Sequence, residues 1–353
     1  MEVPVRPRDI TAETFNALTG RTDVTDVRVV GEDHGTAVRA RLDVTGSSAG
    51  EPTRVFAKLT PTQPMERLFN NLMQLGHNEV EVYRRLGAQL QDVMPAVYGA
   101  ASDPSSRRSV VLMEDLTLRD ARFGDVAGSC TRDQAVAVAR ALAGFHAKFW
   151  ESDLFTSDLA CFTPPAARSV SWGPQTSRLL VLLPRRYHDV VPRKVRADAR
   201  ILRTRRRAVA HALRDFPLTF LHGDTHRGNV CFVGDRPILF DWQVAAQGPG
   251  LKDLAYFAVT SLDPDLRRAI ERELITEYLD ALASNGGPRL PSSGAWDDYR
   301  MLAVTAYTAA AVTAAFSGRL QGEDVTRAGL DRGAQAVTDL DSFAELRRRI
   351  DVS

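Results

Sequence analysis

The sequence predicts an α+β fold with two lobes: a small β-rich N-terminal lobe with one long helix, and a larger, mainly helical C-terminal lobe. The length of 353 residues leaves room for two lobes and a large core. Apolar and polar residues alternate in several N-terminal segments, which is typical of half-buried strands. Beyond residue 130 most segments instead carry apolar residues at helical spacing.

Two alternating segments, residues 24–30 and 37–44, predict the strands of an N-terminal hairpin. The segment 31–37 between them contains two glycines, Gly31 and Gly35. Glycines at such a position suit a turn, because glycine tolerates backbone conformations that other residues avoid. We therefore expect residues 31–37 to form the loop of the hairpin.

A lysine and a glutamate of the N-terminal lobe are predicted to meet. In the strand Arg54–Leu59, alternation places Lys58 at the end of an apolar ridge. Residues 78–90 have helical spacing with Glu79 on the inward stripe, whereas Glu81 faces two arginines at the spacing of surface pairs. An unpaired carboxylate on a buried stripe costs several kcal/mol, by order of magnitude. Lys58 is therefore the natural partner of Glu79.

The stretch from residue 221 to residue 243 contains three candidate oxygen-bearing side chains, Asp224, Asn229 and Asp241. Their apolar flanks place them in loops between short buried strands. Magnesium on nucleotide phosphates keeps several waters, so one aspartate and one asparagine suffice as protein ligands. The remaining carboxylate can accept the proton of an attacking hydroxyl. The alternative is that the three residues form turns and caps.

These motifs resemble those of the aminoglycoside phosphotransferase and choline kinase superfamily, which phosphorylates small molecules. The loop His222-Gly-Asp-Thr-His-Arg-Gly-Asn229 and the strand Ile238-Leu-Phe-Asp-Trp-Gln243 carry the resemblance. The run Asp253-Leu-Ala-Tyr-Phe257 is similar to the ecdysteroid-kinase-like (CHK-like) branch. The resemblance implies a bilobal, protein-kinase-like fold, with a nucleotide-binding lobe at 1–116 and a catalytic and substrate-binding lobe at 117–353.

The same resemblance implies a role for each polar residue of the predicted site. Asp224 is expected to orient and deprotonate the acceptor hydroxyl, while Asn229 and Asp241 bind Mg²⁺. Lys58 is expected to pair with the α- and β-phosphates of the nucleotide, and Glu79 to orient Lys58. The four residues expected to take part in catalysis are therefore Lys58, Asp224, Asn229 and Asp241.

Two further segments are predicted to contact the nucleotide. The loop with Gly31 and Gly35 either covers the phosphates or is only a hairpin turn, because it does not match the glycine-rich motif of kinases. The strand that begins at Val110 ends in Glu114, Asp115 and Leu116, which resemble the family's hinge between lobes. Backbone groups of this hinge are expected to meet the purine, so ATP and GTP are not distinguished.

Two groups of residues are candidates for contacts with the acceptor or the transferred phosphate. His226 and Arg227 lie between the predicted base and the metal ligand, and either approach the γ-phosphate or point to solvent. The second group combines carboxylates with aromatic rings: Trp296, Asp297, Asp298 and Tyr299. These four residues either hold a cationic or sugar-like group or anchor the helix that begins there.

The helical lobe contains residues expected to support the site. Thr131 and Gln134 form a capping box that begins a helix with His146 on its inward stripe. We interpret His146 as a core histidine rather than a catalytic one. By resemblance, His222 and Asp253 brace the catalytic loop. Further helices are predicted at residues 179–183, 193–213, 264–282, 295–316 and 327–350.

Composition argues against several other classes of protein. The net charge of +1 gives no sign of a polyanionic partner, and the arginine cluster at 203–207 lacks the interleaved aromatic residues of nucleic-acid-binding proteins. Three cysteines without metal-ligand spacing argue against a disulfide framework and for a reducing compartment. Neither a signal peptide nor a membrane span is predicted. We therefore expect a cytoplasmic protein without nucleic-acid or membrane partners, of open oligomeric state.

The combined prediction is a Mg²⁺-dependent kinase that transfers the γ-phosphate of ATP or GTP to a small-molecule hydroxyl. The arginine- and alanine-rich composition suggests a GC-rich bacterial genome, which favours an antibiotic or other secondary metabolite as acceptor. The alternatives are a choline/ethanolamine- or steroid-type metabolite kinase and a non-catalytic, nucleotide-binding pseudokinase. A protein kinase is disfavoured, because the segment between Asp241 and Gly248 leaves no room for an activation loop.

Overall fold

The fold is that of a computed structural model, which describes residues 2–35, 37–46, 54–125, 128–163, 187–213, 215–315 and 322–352. The chain forms two compact units. The first comprises Met1–Arg122, Phe232–Gly234 and Ile238–Ala245. The second comprises Phe123–Cys231, Asp235–Pro237 and Ala246–Ser353. The domain limits 1–116 and 117–353 remain a prediction, and the segment that carries Asp241 belongs to the first unit.

A five-stranded antiparallel sheet forms the base of the first unit, with the strand order β1-β2-β3-β5-β4. Its strands are β1 (Val24–His34), β2 (Val38–Gly46), β3 (Arg54–Leu59), β4 (Val97–Asp103) and β5 (Arg108–Glu114). Alternate residues of β2 and β3 are buried, as the sequence predicted. Leu42, Val55 and Ala57 on the buried face belong to the hydrophobic core of this unit.

The β1–β2 hairpin is longer than predicted. Gly31 lies inside β1 and pairs with Arg41 of β2, next to a bulge in the ladder. The turn is closed by the backbone N–H of Gly35, which donates to the carbonyl of Ala37 at 3.0 Å. The predicted loop 31–37 is therefore mostly strand, because pairing continues beyond the alternating apolar residues.

Three helices complete the described part of the first unit: α1 (Ala12–Thr19), α2 (Pro64–Met73) and α3 (Leu75–Leu86). The helix predicted at residues 78–90 is α3, which begins and ends earlier than expected. Gln74, with φ at 56°, separates it from α2. Helix α3 packs against β4 and β5, and seven of its twelve residues, Glu79 among them, are buried.

The second unit is mainly helical, as predicted. Within the residues that the structure describes, its helices are α4 (Arg132–Lys148), α5 (Arg193–Asp198), α6 (Ile201–Thr204), α7 (Arg206–Ala212), α8 (Leu251–Ser261), α9 (Pro264–Ser284), α10 (Ser292–Ala315), α11 (Glu323–Asp339) and α12 (Ser342–Val352). The predicted capping box of Thr131 and Gln134 begins α4. Helix α4 packs against α9, and α8 and α11 both pack against α10.

Five short strands flank the candidate loops. They are β6 (Arg122–Phe123), β7 (Thr219–Leu221), β8 (Val230–Val233), β9 (Arg236–Leu239) and β10 (Ala246–Gly248). Strands β7 and β10 pair antiparallel, and the others form a sheet in the order β6-β8-β9. Strand β7 leads directly into the Asp224 loop, and β8 follows it. The prediction that Asp224 and Asn229 lie between short buried strands is therefore confirmed.

Two predicted helices are interrupted. Residues 193–213 form α5, α6 and α7, and Arg205 leaves the helical conformation between the last two. Residues 327–350 fall into α11 and α12, with Asp341 between them at a φ of 47°. The segment 179–183 lies outside the described residues. In the described part of the chain, no helix combines the length and the apolar character needed to cross a bilayer.

Candidate active site

The side chain of Lys58 is held between two carboxylates of the first unit. Its Nζ lies 2.8 Å from Oε2 of Glu79 on α3 and 2.7 Å from Oδ1 of Asp241. The Lys58 side chain is 10 % exposed and that of Glu79 is 3 % exposed. The Lys58–Glu79 pair predicted from strand alternation and helical spacing is thus confirmed.

Burial and the charges of neighbouring residues shift the pKa of Lys58 in opposite directions, and the same is true of Glu79 and its partner Lys58. Burial lowers the pKa of Lys58, but the charges of Asp241 and Glu79 raise it by more, so that Lys58 stays cationic. Burial and the charge of Asp241 raise the pKa of Glu79 while Lys58 lowers it, and the balance of these effects is a pKa raised to about 7. One ammonium thus serves two carboxylates, and an added cation at Asp241 would relieve this excess of negative charge.

Asp241 has an unusual backbone conformation, with φ at 65° in the left-handed region. A non-glycine residue in that region costs on the order of 1 kcal/mol or more, so surrounding contacts must hold it there. The indole N–H of Trp242 donates to the carbonyl three residues earlier at 3.1 Å. The Asn78 amide donates to the carbonyls of Gln243 and Ala245 at 3.0 and 2.9 Å. These bonds fix the turn that directs Asp241 at Lys58.

Glu81, the other acid of α3, forms the predicted pairs at helical spacing. Its carboxylate lies 2.6 Å from Nε of Arg85 and 3.4 Å from Arg84. The prediction of a surface position is wrong for the glutamate itself, which is 7 % exposed although both arginines reach solvent. The long arginine side chains cover the carboxylate and thereby bury it.

The Asp224 carboxylate lies at the centre of the site in the second unit. Tyr256 of α8 donates its hydroxyl to Oδ1 at 2.7 Å. The Asn229 amide nitrogen donates to Oδ2 at 3.2 Å and to the Asp224 carbonyl at 3.0 Å. The Asp224 side chain is 25 % exposed, so a small molecule can reach it. The structure thus brings together two predicted residues, Asp224 and Asn229, and adds Tyr256.

The loop before Asp224 is fixed by a buried carboxylate from α8. Oδ2 of Asp253 accepts from the backbone N–H of His222 at 2.7 Å, and Oδ1 accepts from that of Gly223 at 3.0 Å. Gly223 has φ at 85°, a conformation that favours glycine. The His222 ring accepts the Asp224 N–H at 3.3 Å. The predicted bracing roles of His222 and Asp253 agree with these contacts.

His146 is fully buried beside this loop support. Its Nδ1 forms a 2.9 Å hydrogen bond with the hydroxyl of Tyr278, and its Nε2 lies 3.4 Å from Oδ2 of Asp253. The interpretation of His146 as a core histidine is confirmed, because its polar atoms face Tyr278 and Asp253 within the unit.

The environment keeps Asp224 ionised. Burial raises the pKa of Asp224, but the neighbouring His226 and the hydrogen bond from Tyr256 lower it by more, so its pKa is below the usual value. Burial and the charge of Asp224 raise the pKa of Tyr256 well above its ordinary value. Tyr256 therefore remains a donor, and Asp224 remains an acceptor that can orient a hydroxyl group.

His226 and Arg227 are engaged inside the second unit rather than directed to solvent. His226 accepts the Gly228 N–H on Nδ1 at 3.0 Å, and its Nε2 lies 3.5 Å from Oδ2 of Asp224. The Arg227 guanidinium lies 3.1 Å from Sγ of Cys130 and within hydrogen-bond distance of the first turn of α4. His226 thus belongs to the Asp224 group, whereas Arg227 ties the loop to α4.

The residues from Trp296 to Tyr299 are engaged in contacts that anchor α10. Tyr299 is fully buried, and its hydroxyl lies 3.4 Å from Oε2 of Glu271. Asp297 and Asp298 form ion pairs with arginines of α10 and α12. Trp296 stacks on Tyr299 with ring centroids 5.9 Å apart. These contacts favour the anchoring alternative over a role in binding the acceptor.

The predicted hinge residues form a tight local structure in the first unit. Oδ1 of Asp115 accepts from the N–H and the hydroxyl of Thr117, at 3.1 and 2.7 Å. Its Oδ2 accepts from Nε of Arg41 at 3.2 Å. Glu114 ends β5, and Leu116 begins a short 3₁₀ helix. Their contact with a purine, like the covering role of Gly31 and Gly35, stays a prediction.

The predicted metal ligands suit magnesium in their chemistry. Asn229 directs its amide nitrogen to Asp224, so its amide oxygen is the atom that a cation would contact. Asp241 offers a carboxylate that is 24 % exposed. Among the described residues, no group of three or more His, Cys, Asp or Glu side chains suits a metal. Magnesium on nucleotide phosphates needs fewer protein ligands than that, so the residues fit it.

A pocket of about 130 Å³ opens beside Asp224 in the second unit. It is lined by Asp224 and His226 and by residues of α8, α10 and α11, among them Tyr256, Thr260 and Arg332. Sequence reasoning missed these three residues as site residues. One signal for Tyr256 was available, because it lies three residues after Asp253 and so shares a helix face with it.

An antiparallel sheet with a lysine–glutamate pair, together with a helical unit that holds an Asp–Asn loop, defines a kinase-like phosphotransferase. The chain belongs to the phosphotransferase enzyme family, APH, whose family model matches residues 47–296. The superfamily resemblance of the sequence is thereby confirmed. No curated protein sequence matches the chain.

Several solved structures are similar to this chain. One, assigned as an aminoglycoside phosphotransferase from Ralstonia eutropha, has 13 % identity and a TM-score of 0.51, over 94 % of this chain and 95 % of that chain. A choline/ethanolamine kinase family protein from Mesorhizobium loti has 14 % identity and a TM-score of 0.49, over 93 % of each chain. Choline kinase LicA from Streptococcus pneumoniae has 16 % identity and a TM-score of 0.47, over 94 % and 97 %. The first similarity confirms the predicted α+β, kinase-like fold.

Proposed function

We propose that this protein is a Mg²⁺-dependent kinase that transfers the γ-phosphate of ATP or GTP to a hydroxyl of an antibiotic or other secondary metabolite. The Asp224 carboxylate carries this proposal, because it is partly exposed, is held by Tyr256 and Asn229, and is kept in its ionised form by a lowered pKa. Such a group is suited to align an alcohol and to take its proton as transfer proceeds. Membership of the phosphotransferase family supports the reaction class.

Lys58 is assigned to the α- and β-phosphates of the nucleotide. Its ammonium is cationic, largely buried and shared between Glu79 and Asp241. Phosphate oxygens can take the place of one carboxylate, while the other keeps the ammonium in position. Glu79 is the better positioning group, because it lies on α3 and is almost fully buried.

Asn229 and Asp241 are assigned to Mg²⁺, which when bound neutralises phosphate charge and orients the γ-phosphate. The amide oxygen of Asn229 and the carboxylate of Asp241 have the hard-oxygen chemistry that this ion prefers. His226 is assigned to the neighbourhood of the γ-phosphate, since its Nε2 lies 3.5 Å from Asp224. Gly31 and Gly35 are assigned to the phosphates and the Glu114–Leu116 backbone to the purine, by analogy with the family.

The alternatives differ from this proposal either in the acceptor or in whether the protein catalyses transfer at all. A choline/ethanolamine- or steroid-type acceptor is the first, and the run Asp253-Leu-Ala-Tyr-Phe257 supports the ecdysteroid-kinase-like branch. A binding module without catalysis is the second. Against the second alternative stand Lys58, Asp224, Asn229 and Asp241, because all four polar groups needed for transfer are present.

An assay of phosphate transfer with the full chain tests the proposal. We expect ATP or GTP with Mg²⁺ to phosphorylate at least one hydroxyl compound in a panel of aminoglycosides, nucleoside antibiotics, macrolides, steroids and choline. Product mass spectrometry identifies the acceptor, and chelation of Mg²⁺ should abolish the signal. Tight nucleotide binding without transfer to any acceptor would instead support the non-catalytic alternative.

Exchanging Glu79 for glutamine tests the role of the Lys58 pair. Glu79→Gln keeps the shape of the side chain but removes the charge that holds Lys58, so we expect kcat/KM for the nucleotide to fall about tenfold or more. Glu81→Gln is the matched control on the same helix. It removes only pairs with exposed arginines and should change kcat/KM by less than about twofold. Equal losses in both variants would contradict the assignment of Glu79.

A further inference from the structure

The pocket beside Asp224 has walls from three helices of the second unit. Helix α8 contributes Tyr256 and Thr260, α10 contributes Ala310, and α11 contributes Arg332. If Asp224 takes the proton of the acceptor, as the proposed function states, then the acceptor hydroxyl enters this pocket. The side chains of the walls would then contact the acceptor and help to select its class. This inference rests on the proposed function.

Charge at the pocket wall is unfavourable for a cation. The Arg332 side chain is 11 % exposed, and its NH1 donates to the carbonyl of Thr260 at 3.0 Å. Its ion-pair partner Asp263 lies 3.4 Å away and is 64 % exposed, so solvent weakens the pair. Because the guanidinium lines the pocket, an ammonium group of an acceptor would meet a like charge there.

The pocket offers little that would compensate a cationic acceptor. Among the described residues that line it, Asp224 is the one carboxylate, and its negative charge is offset by the guanidinium of Arg332, so the lining carries no excess of negative charge for a cation. The rings of that lining are those of Tyr256 and His226; the Tyr256 hydroxyl is committed to Asp224, and Nε2 of His226 lies 3.5 Å from Oδ2 of the same carboxylate. Recognition of an ammonium group normally relies on several aromatic faces or on free carboxylates.

The remaining walls suit an uncharged, partly apolar group. Thr260 donates its hydroxyl to the carbonyl of Tyr256 at 2.7 Å, and Thr326 donates to that of Gly322 at 3.0 Å. Their hydrogens are used within the helices, so toward a ligand these oxygens can only accept. Ala310, which also lines the pocket, adds an apolar surface.

The volume of the pocket gives the scale of the group that fits inside it. A volume of about 130 Å³ is close to that of a cavity that holds a benzene-sized molecule. A single ring or a branched alkyl group carrying the reactive hydroxyl therefore fits. We infer that the acceptor presents an uncharged, hydroxyl-bearing apolar group to this pocket, and that Arg332 excludes acceptors with an ammonium group beside the reactive hydroxyl.

A pair of alcohols with the same shape and different charge tests the inference. Choline and 3,3-dimethylbutan-1-ol differ in one atom, nitrogen or carbon, and hence in charge. Their dissociation constants are measured by ligand-observed NMR on the full chain with Mg²⁺ and a non-hydrolysable ATP analogue. We expect the neutral alcohol to bind about tenfold more tightly or better. Equal or tighter binding of choline would overturn the inference.

Three variants test whether the preference for the neutral alcohol arises in this pocket. Gly329 lines the pocket, and a Cβ built there meets no atom within 4 Å, so Gly329→Leu should fill the pocket and abolish binding of the neutral alcohol. Arg332→Gln should reduce the preference for the neutral alcohol by about threefold or more. Arg327→Gln, five residues earlier on α11, is the matched control, because Arg327 pairs with Asp189 and does not line the pocket. A preference that survives Arg332→Gln, or binding of neither alcohol, would contradict the inference.

Transfer to the two alcohols is recorded in the same preparation, with ATP in place of the analogue. Binding of the neutral alcohol without its phosphorylation would count against the proposed function and leave the preference of the pocket in place. Phosphorylation of choline in preference to the neutral alcohol would support the proposed function and overturn the inference. Failure of the proposed function and failure of the inference about the pocket therefore give different results.

Discussion

Replacing Asp224 by asparagine is expected to lower kcat for phosphate transfer by about 10²- to 10⁴-fold, the range typical of a lost general base. Asparagine matches aspartate in shape, so it can still accept the hydroxyl of Tyr256, which lies 2.7 Å from Oδ1. It cannot accept a proton from the acceptor alcohol. We therefore expect nucleotide affinity, measured by titration calorimetry, to stay within about threefold of the wild-type value.

Tyr256→Phe is expected to lower kcat less than Asp224→Asn does, and so serves as a comparison for that variant. It removes one hydrogen bond to Asp224 but leaves the carboxylate in place, so kcat should fall only about tenfold. The order of the two effects is diagnostic, because a merely structural Asp224 would make both variants similar. An Asp224→Asn protein that keeps more than about a tenth of the wild-type kcat would exclude proton transfer to this residue.

The parts of the site that the sequence predicted are those governed by periodicity. Lys58 and Glu79 are 21 residues apart, but a strand period of two places Lys58 on the Phe56 face of β3, opposite Val55 and Ala57, and a helix period near 3.6 places Glu79 on the inward stripe of α3. Once Lys58 and Glu79 are both placed toward the interior, their opposite charges make each the natural partner of the other. The capping box at Thr131 and Gln134 was predictable for a similar reason, because its donor and acceptor lie three residues apart.

The contacts that escaped prediction depend on tertiary packing. Tyr256 meets Asp224 across 32 residues, and its helical spacing alone is equally compatible with a tyrosine in the core. Arg332 reaches the pocket from α11, far from any recognisable motif. The two interrupted helices show the same limit, because neither segment 193–213 nor residues 339–342 contains glycine or proline. The break at Asp341 is a backbone conformation with φ at 47°, and an aspartate alone is too weak a signal to predict it.

Support of the Asp224 loop is concentrated in one buried carboxylate. Asp253 is fully buried and receives the N–H groups of His222 and Gly223, while His146 lies 3.4 Å from the same carboxylate. Burial raises the pKa of Asp253, but hydrogen bonding to His146 and the charges of His146 and His222 lower it by more, so the net shift is downward. The ionised form is therefore the one that stabilises the fold.

Replacing Asp253 by asparagine should destabilise the second unit strongly. Removing a buried charge while its partners stay in place costs about 3 kcal/mol or more, because the amide oxygen can accept only one of the two N–H groups well. We expect the apparent melting temperature to fall by roughly 5 °C or more. Asp265→Asn on α9 is the matched control, since that side chain is 96 % exposed and should change the melting temperature by less than about 1 °C.

The pH dependence of the fall in melting temperature shows whether it is the charge of Asp253 or only the shape of its side chain that stabilises the protein. A carboxylate whose folded-state pKa is lowered stabilises the protein above its unfolded-state pKa of about 3.9 and loses that effect as the pH falls through the folded-state value. The difference in melting temperature between the wild type and Asp253→Asn should therefore be constant from about pH 6 to pH 8 and narrow below about pH 4. A difference independent of pH down to the acid limit of folding would show that the ionised carboxylate is not what holds the loop.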